Sequence, residues 1–466
     1  MATHHRAGKQ YRLALWANRF ADRHPKSYLG VALLLMLPGY AFLLLFPYLV
    51  VEGATVLARE IPNARTTEHW IVVEVWSAIL LFCLLLSNQV FRLHFPRACG
   101  LKLSKDLAPE LFRLIGEMKS YTAKLSIRNV ILTDRHELRI EQTPRLGYPF
   151  ACSNTLIIGM PLLQTLSEAQ FRGELLRHMV QYSSGALRPV HWLFRTRRLW
   201  RRYADALASR SRLAEAPMRW FFSLYAPLFE VLTLPAARRD ELAADSAVLE
   251  WLNDRDYFQT VKSRILAERF LNTQFWRKVH KHALQHPQKV MHPFAELERI
   301  TGQPQPLAVR QQCLQAAFEE QQDVTNAMPV LHQRMDNIGQ DKLREVPVVE
   351  KTAAEACLGE ARGDFISILD KLWRSTTFMH WKADYEQRCA DLHRAKTLSR
   401  KSRQQVLGVR EIVLYARLAR QLRGDSLRNS LAKMGRRSAG HLLSGLTSGS
   451  ALARKVRATQ DTNVVN

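Results

Sequence analysis

No C-x-x-C pair occurs among the six cysteines, Cys83, Cys99, Cys152, Cys313, Cys357 and Cys389. That spacing excludes a zinc ribbon, and one cysteine lies inside an apolar, membrane-like run. The thiols therefore read as reduced, small apolar residues of a cytoplasm-facing protein and not as a disulfide framework. Acidic residues are also scarce: 42 Asp and Glu face 67 Lys and Arg, a formal net charge of +25 at pH 7. Such a surplus favours anionic neighbours, whether acidic phospholipid, nucleic acid or acidic protein. No zinc finger, RRM signature or aromatic stacking pattern accompanies the charge, which argues against nucleic acid. The N-terminus does not read as a cleavable leader, because its apolar run is too long and no small-residue cleavage site follows. Apolar residues, by contrast, are plentiful. Of 466 residues 47% are hydrophobic and 9% aromatic, enough for two or three domains with a substantial core and too much for general disorder.

The apolar residues are concentrated first near the N-terminus. Residues 1–27 carry Arg6, Lys9, Arg12, Arg19, Arg23 and Lys26 against Asp22 alone. Residues 28–51 hold no charge, and a helix of about 24 residues spans a bilayer core of roughly 30 Å. After a mixed linker of about 18 residues comes a second run, 70–90, interrupted only by Glu74 and followed by Arg92, Arg97, Lys102 and Lys105. The positive charge lies before the first run and after the second. This pattern predicts a transmembrane hairpin over 28–92 with both chain termini cytoplasmic. Two buried helices of a soluble bundle are the other reading, and the uncharged length argues against it.

Residues 106–165 predict a helix over 108–125 and short β-rich runs at 129–133 and 155–159, hence a small antiparallel sheet. His136-Glu137-Leu138-Arg139-Ile140 begins like H-E-x-x-H but ends in Ile140, and its strand or turn setting marks it as coincidence. From Leu166 the run LSEAQFRGELLRHMVQYSSG repeats apolar residues at helical spacing, at Phe171, Leu175, Met179 and Tyr182. A second helix brings Glu241 and Asp245 onto one face through their four-residue spacing. Between them Arg195, Arg197, Arg198, Arg201 and Arg202 lie near Trp192, Trp200 and Trp220. That mixture suits an anionic membrane surface or, equally simply, a solvated helix face. The apolar run over 218–235 contains Glu230 and is short for a span; a membrane-surface or re-entrant helix and a plain core helix are the readings open to it, with a buried or interfacial helix favoured. Residues 301–445 are helical in pattern, 394–455 are strongly basic, and 446–466 are predicted to be disordered.

A zinc peptidase builds its site from two such helices. H-E-x-x-H supplies two imidazoles one turn apart and a general base, and a later helix supplies a carboxylate ligand. On these residues the chain resembles the family of membrane-bound zinc metallopeptidases that includes HtpX and the CAAX prenyl proteases. Laid on from Leu166 and Ser167 without a gap, Arg177 stands at the family's first His, His178 at its catalytic Glu and Gln181 at its second His. A one-residue shift recovers His178 as a ligand but puts Met179 and Tyr182 at the other two places. Arg238, Glu241, Ala244 and Asp245 match the second motif, with Glu241 at the zinc ligand and Asp245 at its supporting carboxylate. The run YPFACSNTLIIG from Tyr148 is similar to the family's edge strand and the strand after it, with Pro149 in place of an Asn. His292-Pro293 with Glu298-Arg299-Ile300 is similar to the end of the peptidase domain. KTAAEACLG from Lys351 and the segment 373–388 are similar to the helical tail of larger bacterial members. The resemblance covers about residues 28–395. It implies an α+β, mostly α chain with an N-terminal transmembrane helical hairpin, a zincin-like metallopeptidase domain with a small sheet over 100–300, a C-terminal helical region, and a place in a bacterial-type inner membrane.

Zinc hydrolysis needs three protein ligands, an open position and a base for the bound water. In the ungapped register a fixed cation, Arg177, replaces an imidazole, and Gln181 is a poor ligand. The expectation is therefore a degenerate member with no catalytic residue and no metal, acting as a binding or regulatory scaffold, in which Arg177 pairs with Glu241 at the former zinc position. Unfolded or partly extracted membrane proteins are clients by analogy. Two rivals stand beside it. One is an active zinc endopeptidase using His178, Glu241 and another His such as His191 or His292. The other is a nucleic-acid tether acting through the basic tail.

Overall fold

The computed structural model describes residues 2–96, 98–122, 125–145, 147–149, 152–182, 189–208, 215–252, 257–285, 291–302, 306–339, 349, 351–404, 410, 411, 413–415 and 418. The tail over 446–466 and nearly all of the basic stretch after 404 lie outside the described residues. The chain divides into two compact units, one of residues 1–277 and 292–371, the other of 278–291 and 372–466.

Four helices open the first unit: α1 (Ala2–Arg23), α2 (Pro25–Leu34), α3 (Leu37–Glu60) and α4 (Thr67–Phe91), with a 3-10 turn over Ile61–Asn63 after α3. Proline at the first position of α2 and the Thr66 hydroxyl at the N-cap of α4, accepting from the His69 amide, start their helices as these residue types should. Pro25–Asn63 and Thr67–Phe91 are both long and apolar enough to cross a membrane. Leu44, Leu45, Leu81, Phe82, Leu84 and Leu85 point outward and are exposed, an arrangement that is costly in water and natural in lipid. Helix α3 runs well past Val51, so the linker of about 18 residues expected from the sequence shrinks to Ala64, Arg65 and Thr66 outside any helix. Hydropathy marks the membrane thickness; the helix itself continues through Glu52 and Glu60 because nothing there breaks it.

The sheet consists of β1 (Leu101–Leu103), β2 (Ile127–Thr133), β3 (Leu138–Pro144) and β4 (Cys152–Gly159), with α5 (Pro109–Tyr121) between β1 and β2. Its order is β1-β2-β4-β3, and it is mixed, since β2 and β4 run parallel while the other two pairs are antiparallel. This corrects the antiparallel expectation. Leu156, Ile157 and Ile158 are fully buried, a continuous apolar run that belongs in the middle of a sheet. Strand β3 carries Arg139 and Glu141 and takes the edge. Helix α5 ends at Tyr121, short of the Leu125 expected.

The rest of the first unit is helical: α6 (Met160–Thr165), α7 (Glu168–Val180), α8 (Pro189–Ala208), α9 (Ala216–Leu232), α10 (Leu234–Leu252) and α11 (Tyr257–Phe270), the last continued by a π-turn at Leu271–Phe275. Ser167 and Gln170 form a reciprocal capping box that fixes the start of α7. Helix α9 meets α10 at a bend of 57°, and by length and composition the pair fits a broken span or a re-entrant loop. Trp200, Tyr203, Phe222 and Phe229, from α8 and α9, share one apolar core with Tyr28, Met36 and Leu43. Then come α12 (Trp276–Gln285), α13 (Pro293–Thr301), α14 (Leu307–Phe318), α15 (Leu331–Asn337), α16 (Ala353–Leu358) and α17 (Arg362–Gln404). The amide of Ala353 donates to the carbonyl of Leu166, tying the start of α16 to the entry of α7. In the second unit Ala395, Tyr415 and Leu418 are buried, and Lys401 pairs with Glu411 at 2.5 Å.

Candidate functional site

Helices α7 and α10 pack face to face. Residues 173–180 of α7 are all buried, as are Asp240, Glu241, Ala244 and Asp245 of α10. Helix α11 comes close because residue 173 is glycine; a Cβ there would lie 3.0 Å from the Tyr257 ring. The closeness lets the Tyr257 hydroxyl donate to Asp245 Oδ1 at 2.8 Å.

Arg177 lies at the centre, with no exposed surface. Its Nη2 donates to Glu241 Oε2 at 2.5 Å and its Nε to Asp245 Oδ1 at 3.0 Å, while Nη1 lies 3.5 Å from Glu174 Oε1. From α15, Arg334 grips Asp245 bidentately, Nε to Oδ2 and Nη2 to Oδ1, both at 2.8 Å. Arg264 of α11 approaches Glu174 at 3.6 Å. Three guanidiniums thus meet three carboxylates, all buried except Arg264, whose side chain is 13% exposed. Burying an ion costs several kcal/mol unless it is paired, so this mutual neutralisation is what makes the arrangement tolerable.

The other residues singled out from the sequence fall in several places. His178 is buried, and instead of standing alone its Nε2 is 3.3 Å from Glu174 Oε1 and 3.5 Å from Arg177 Nη1. Gln181 closes α7 fully buried, its amide atoms without a partner among the described residues. Arg238 does not join the cluster. It donates to the carbonyls of Asn326, Asp323 and Val324 and to Asn18 Oδ1. His191 is held by Asp240 in a buried pair, and the ring of His292 lies 3.8 Å from Asp370. Among the described residues no three His, Cys, Asp or Glu side chains converge as metal ligands, so His178, Glu241, His191 and His292 do not form one set. His136 stacks its ring nitrogens against Arg264, 3.1 Å and 3.2 Å away, and Glu137 precedes β3; the pair is a turn beside a strand.

The cluster's titration follows from these contacts. Burial would raise the Asp245 carboxyl, but Arg334, Arg177 and the Tyr257 hydroxyl hold it below its ordinary 3.8. Burial likewise opposes ionisation of Glu174, and Arg177, then the His178 ring and last Arg264, overturn it, leaving the carboxyl well below 4.5. For His178 burial is the main cause and Arg177 adds to it, so the imidazole stays neutral below its usual 6.5. The signs agree. Carboxylates held low stabilise the fold above their ordinary values and lose that contribution as pH falls through the folded ones. A histidine held low leaves the unfolded chain to take the proton first, so stability drops as pH falls below 6.5. The thermal midpoint of the detergent-purified chain is therefore expected to fall from pH 7 downward, more steeply below pH 4.5. His178→Gln is expected to flatten the upper part of that curve; an unchanged profile would contradict the assignment.

Sequence reasoning missed Glu174, Tyr257, Arg264 and Arg334. Glu174 was visible in principle, because it sits three and four residues before Arg177 and His178 on one helical face. The remaining three come from distant segments with no motif. Comparison with protein-family models, curated proteins and solved structures finds no match to this chain. The residues do not suit a zinc ion at the place the family resemblance would put it: the Arg177 guanidinium fills the space before Glu241 and supplies positive charge where a cation would need donors.

Proposed function

We propose that this protein is a membrane-anchored, catalytically inactive relative of the HtpX-like zinc metallopeptidases, kept as a binding or regulatory scaffold. The observation that carries the reading is Arg177, whose side chain bridges Glu241 and Asp245 on the facing helix. In a zincin-like domain those carboxylates would hold and support the metal. Here a guanidinium supplies their counter-charge permanently, without an ion to lose and without a water to activate. The two apolar helices support an anchor in the membrane. The Lys and Arg flanking them support an inner-membrane hairpin with both ends in the cytoplasm. The scaffold role rests on fold-level analogy.

The test is direct. The full chain, purified in detergent, is expected to carry no stoichiometric zinc and to show no chelator-sensitive cleavage of an unfolded protein such as casein. One zinc per chain, lost on Glu241→Ala, together with such cleavage would establish an active enzyme in its place.

A further inference from the structure

Helix α8 and the edge strand β3 enclose a cavity of about 250 Å³ that is separate from the buried ion cluster. Six arginines line it, Arg139, Arg195, Arg197, Arg198, Arg201 and Arg202, against the carboxylates Glu141, Asp205 and Glu230. Each carboxylate is already engaged. Glu141 takes Arg139 and Arg202, both at 2.9 Å, and Arg201 takes Glu230 at 3.0 Å and Asp205 at 3.3 Å. Arg197 donates twice to the carbonyl of Glu230. Two guanidiniums are left over. Among the described residues Arg198 hydrogen-bonds the Tyr182 hydroxyl, at 3.2 Å, and lies over the Phe194 ring, with no carboxylate in direct contact; the Nε of Arg195 is buried with no partner among the described residues. A buried donor without an acceptor is unfavourable, and a fork of this kind matches the geometry of phosphate oxygens.

The surroundings say what kind of phosphate. The Tyr40 hydroxyl, near the start of α3, lies 3.2 Å from the Thr196 hydroxyl of α8, and the Tyr40 and Trp192 rings are 6.2 Å apart. On α9, bound to α8 through Glu230, Trp220, Leu224 and Leu228 repeat every fourth residue and are all exposed. An apolar stripe with a tryptophan at its head, beside the beginning of a membrane span, belongs at the lipid headgroup level. An acidic peptide is less well served, because Arg202 already occupies the carbonyl of Gln142 on the edge strand and the neighbouring Glu141 carboxylate.

We propose that this cavity binds a phosphate dianion, such as the headgroup of a phosphomonoester lipid, held by Arg195 and Arg198 with Tyr182 at its border. Binding is stoichiometric and selective for the dianion, unlike the diffuse attraction of a basic surface to any anionic membrane.

The test uses the full chain in nanodiscs of neutral phosphatidylcholine. Short-chain phosphatidic acid, short-chain phosphatidylglycerol, inorganic phosphate and hexaglutamate are titrated separately, and bound ligand per chain is counted by native mass spectrometry. Phosphatidic acid is expected to saturate at one per chain and to bind about tenfold or more tightly than phosphatidylglycerol. The charge-preserving double variant Arg195→Lys/Arg198→Lys is expected to weaken it by about tenfold or more while leaving the thermal midpoint unchanged. Inorganic phosphate competing at equal affinity would support the dianion site and assign its source to solution; phosphatidic acid alone would support it and assign a lipid. Equal response to phosphatidylglycerol, insensitivity to the lysine variant, or saturable binding of hexaglutamate in preference to phosphate would overturn the proposal.

Discussion

Arg177→Met is expected to destabilise the fold by about 3–5 kcal/mol, the cost of leaving buried charges without their partner. The substitution conserves volume closely enough to fill the space, so the effect is electrostatic. Glu241 loses its 2.5 Å contact and Glu174 its nearest cation on the same helix, while Asp245 keeps the two bonds from Arg334. Thermal denaturation in detergent measures it. Adding Glu241→Gln to Arg177→Met is expected to restore part of the loss, since the second change removes the stranded anion. A midpoint that hardly moves in the single variant would show that Arg177 is not the keystone of the cluster.

The larger change in behaviour is expected from the triple variant Arg177→His/His178→Glu/Gln181→His. It rebuilds two imidazoles one turn apart on α7, with a carboxylate between them, opposite Glu241. If the framework was inherited from a zinc peptidase, the variant should bind about one zinc per chain after gel filtration where the parent binds none, and adding Glu241→Ala should abolish it. The bidentate grip of Arg334 on Asp245 remains to balance that acid once Arg177 is gone. A triple variant that folds yet holds no zinc would remove the support for common ancestry with the peptidases.

The features legible in the sequence were the ones carried by local pattern. Uncharged length gave both apolar helices, because a membrane span is a property of about twenty consecutive residues. Spacing made α7 and α10 legible, and the pairing of Arg177 with Glu241 followed from the frame that the family resemblance implies, which sets which helix positions face each other. Strand order was not legible: whether β3 pairs with β2 or β4 depends on which strand the core covers, and the alternation within each strand is silent on that. Arg334 and Arg264 were invisible for a related reason. Buried arginines look like surface arginines until the acid they neutralise is known, and Asp245 lies 89 residues from Arg334. Extrapolating apolar windows to helix ends failed at α3, where the helix outruns the hydrophobic stretch.

One contact of α8 bears on how the protein meets other chains. Arg202 donates through Nη1 to the carbonyl of Gln142 and the hydroxyl of Thr143, and through Nη2 to the carbonyl of Pro96. An open sheet border ordinarily invites a foreign segment to zip onto it, whether a misfolding neighbour or an extended guest. Here a guanidinium holds one carbonyl of that border, so a segment pairing with the outermost ribbon at Gln142 would first have to displace Arg202.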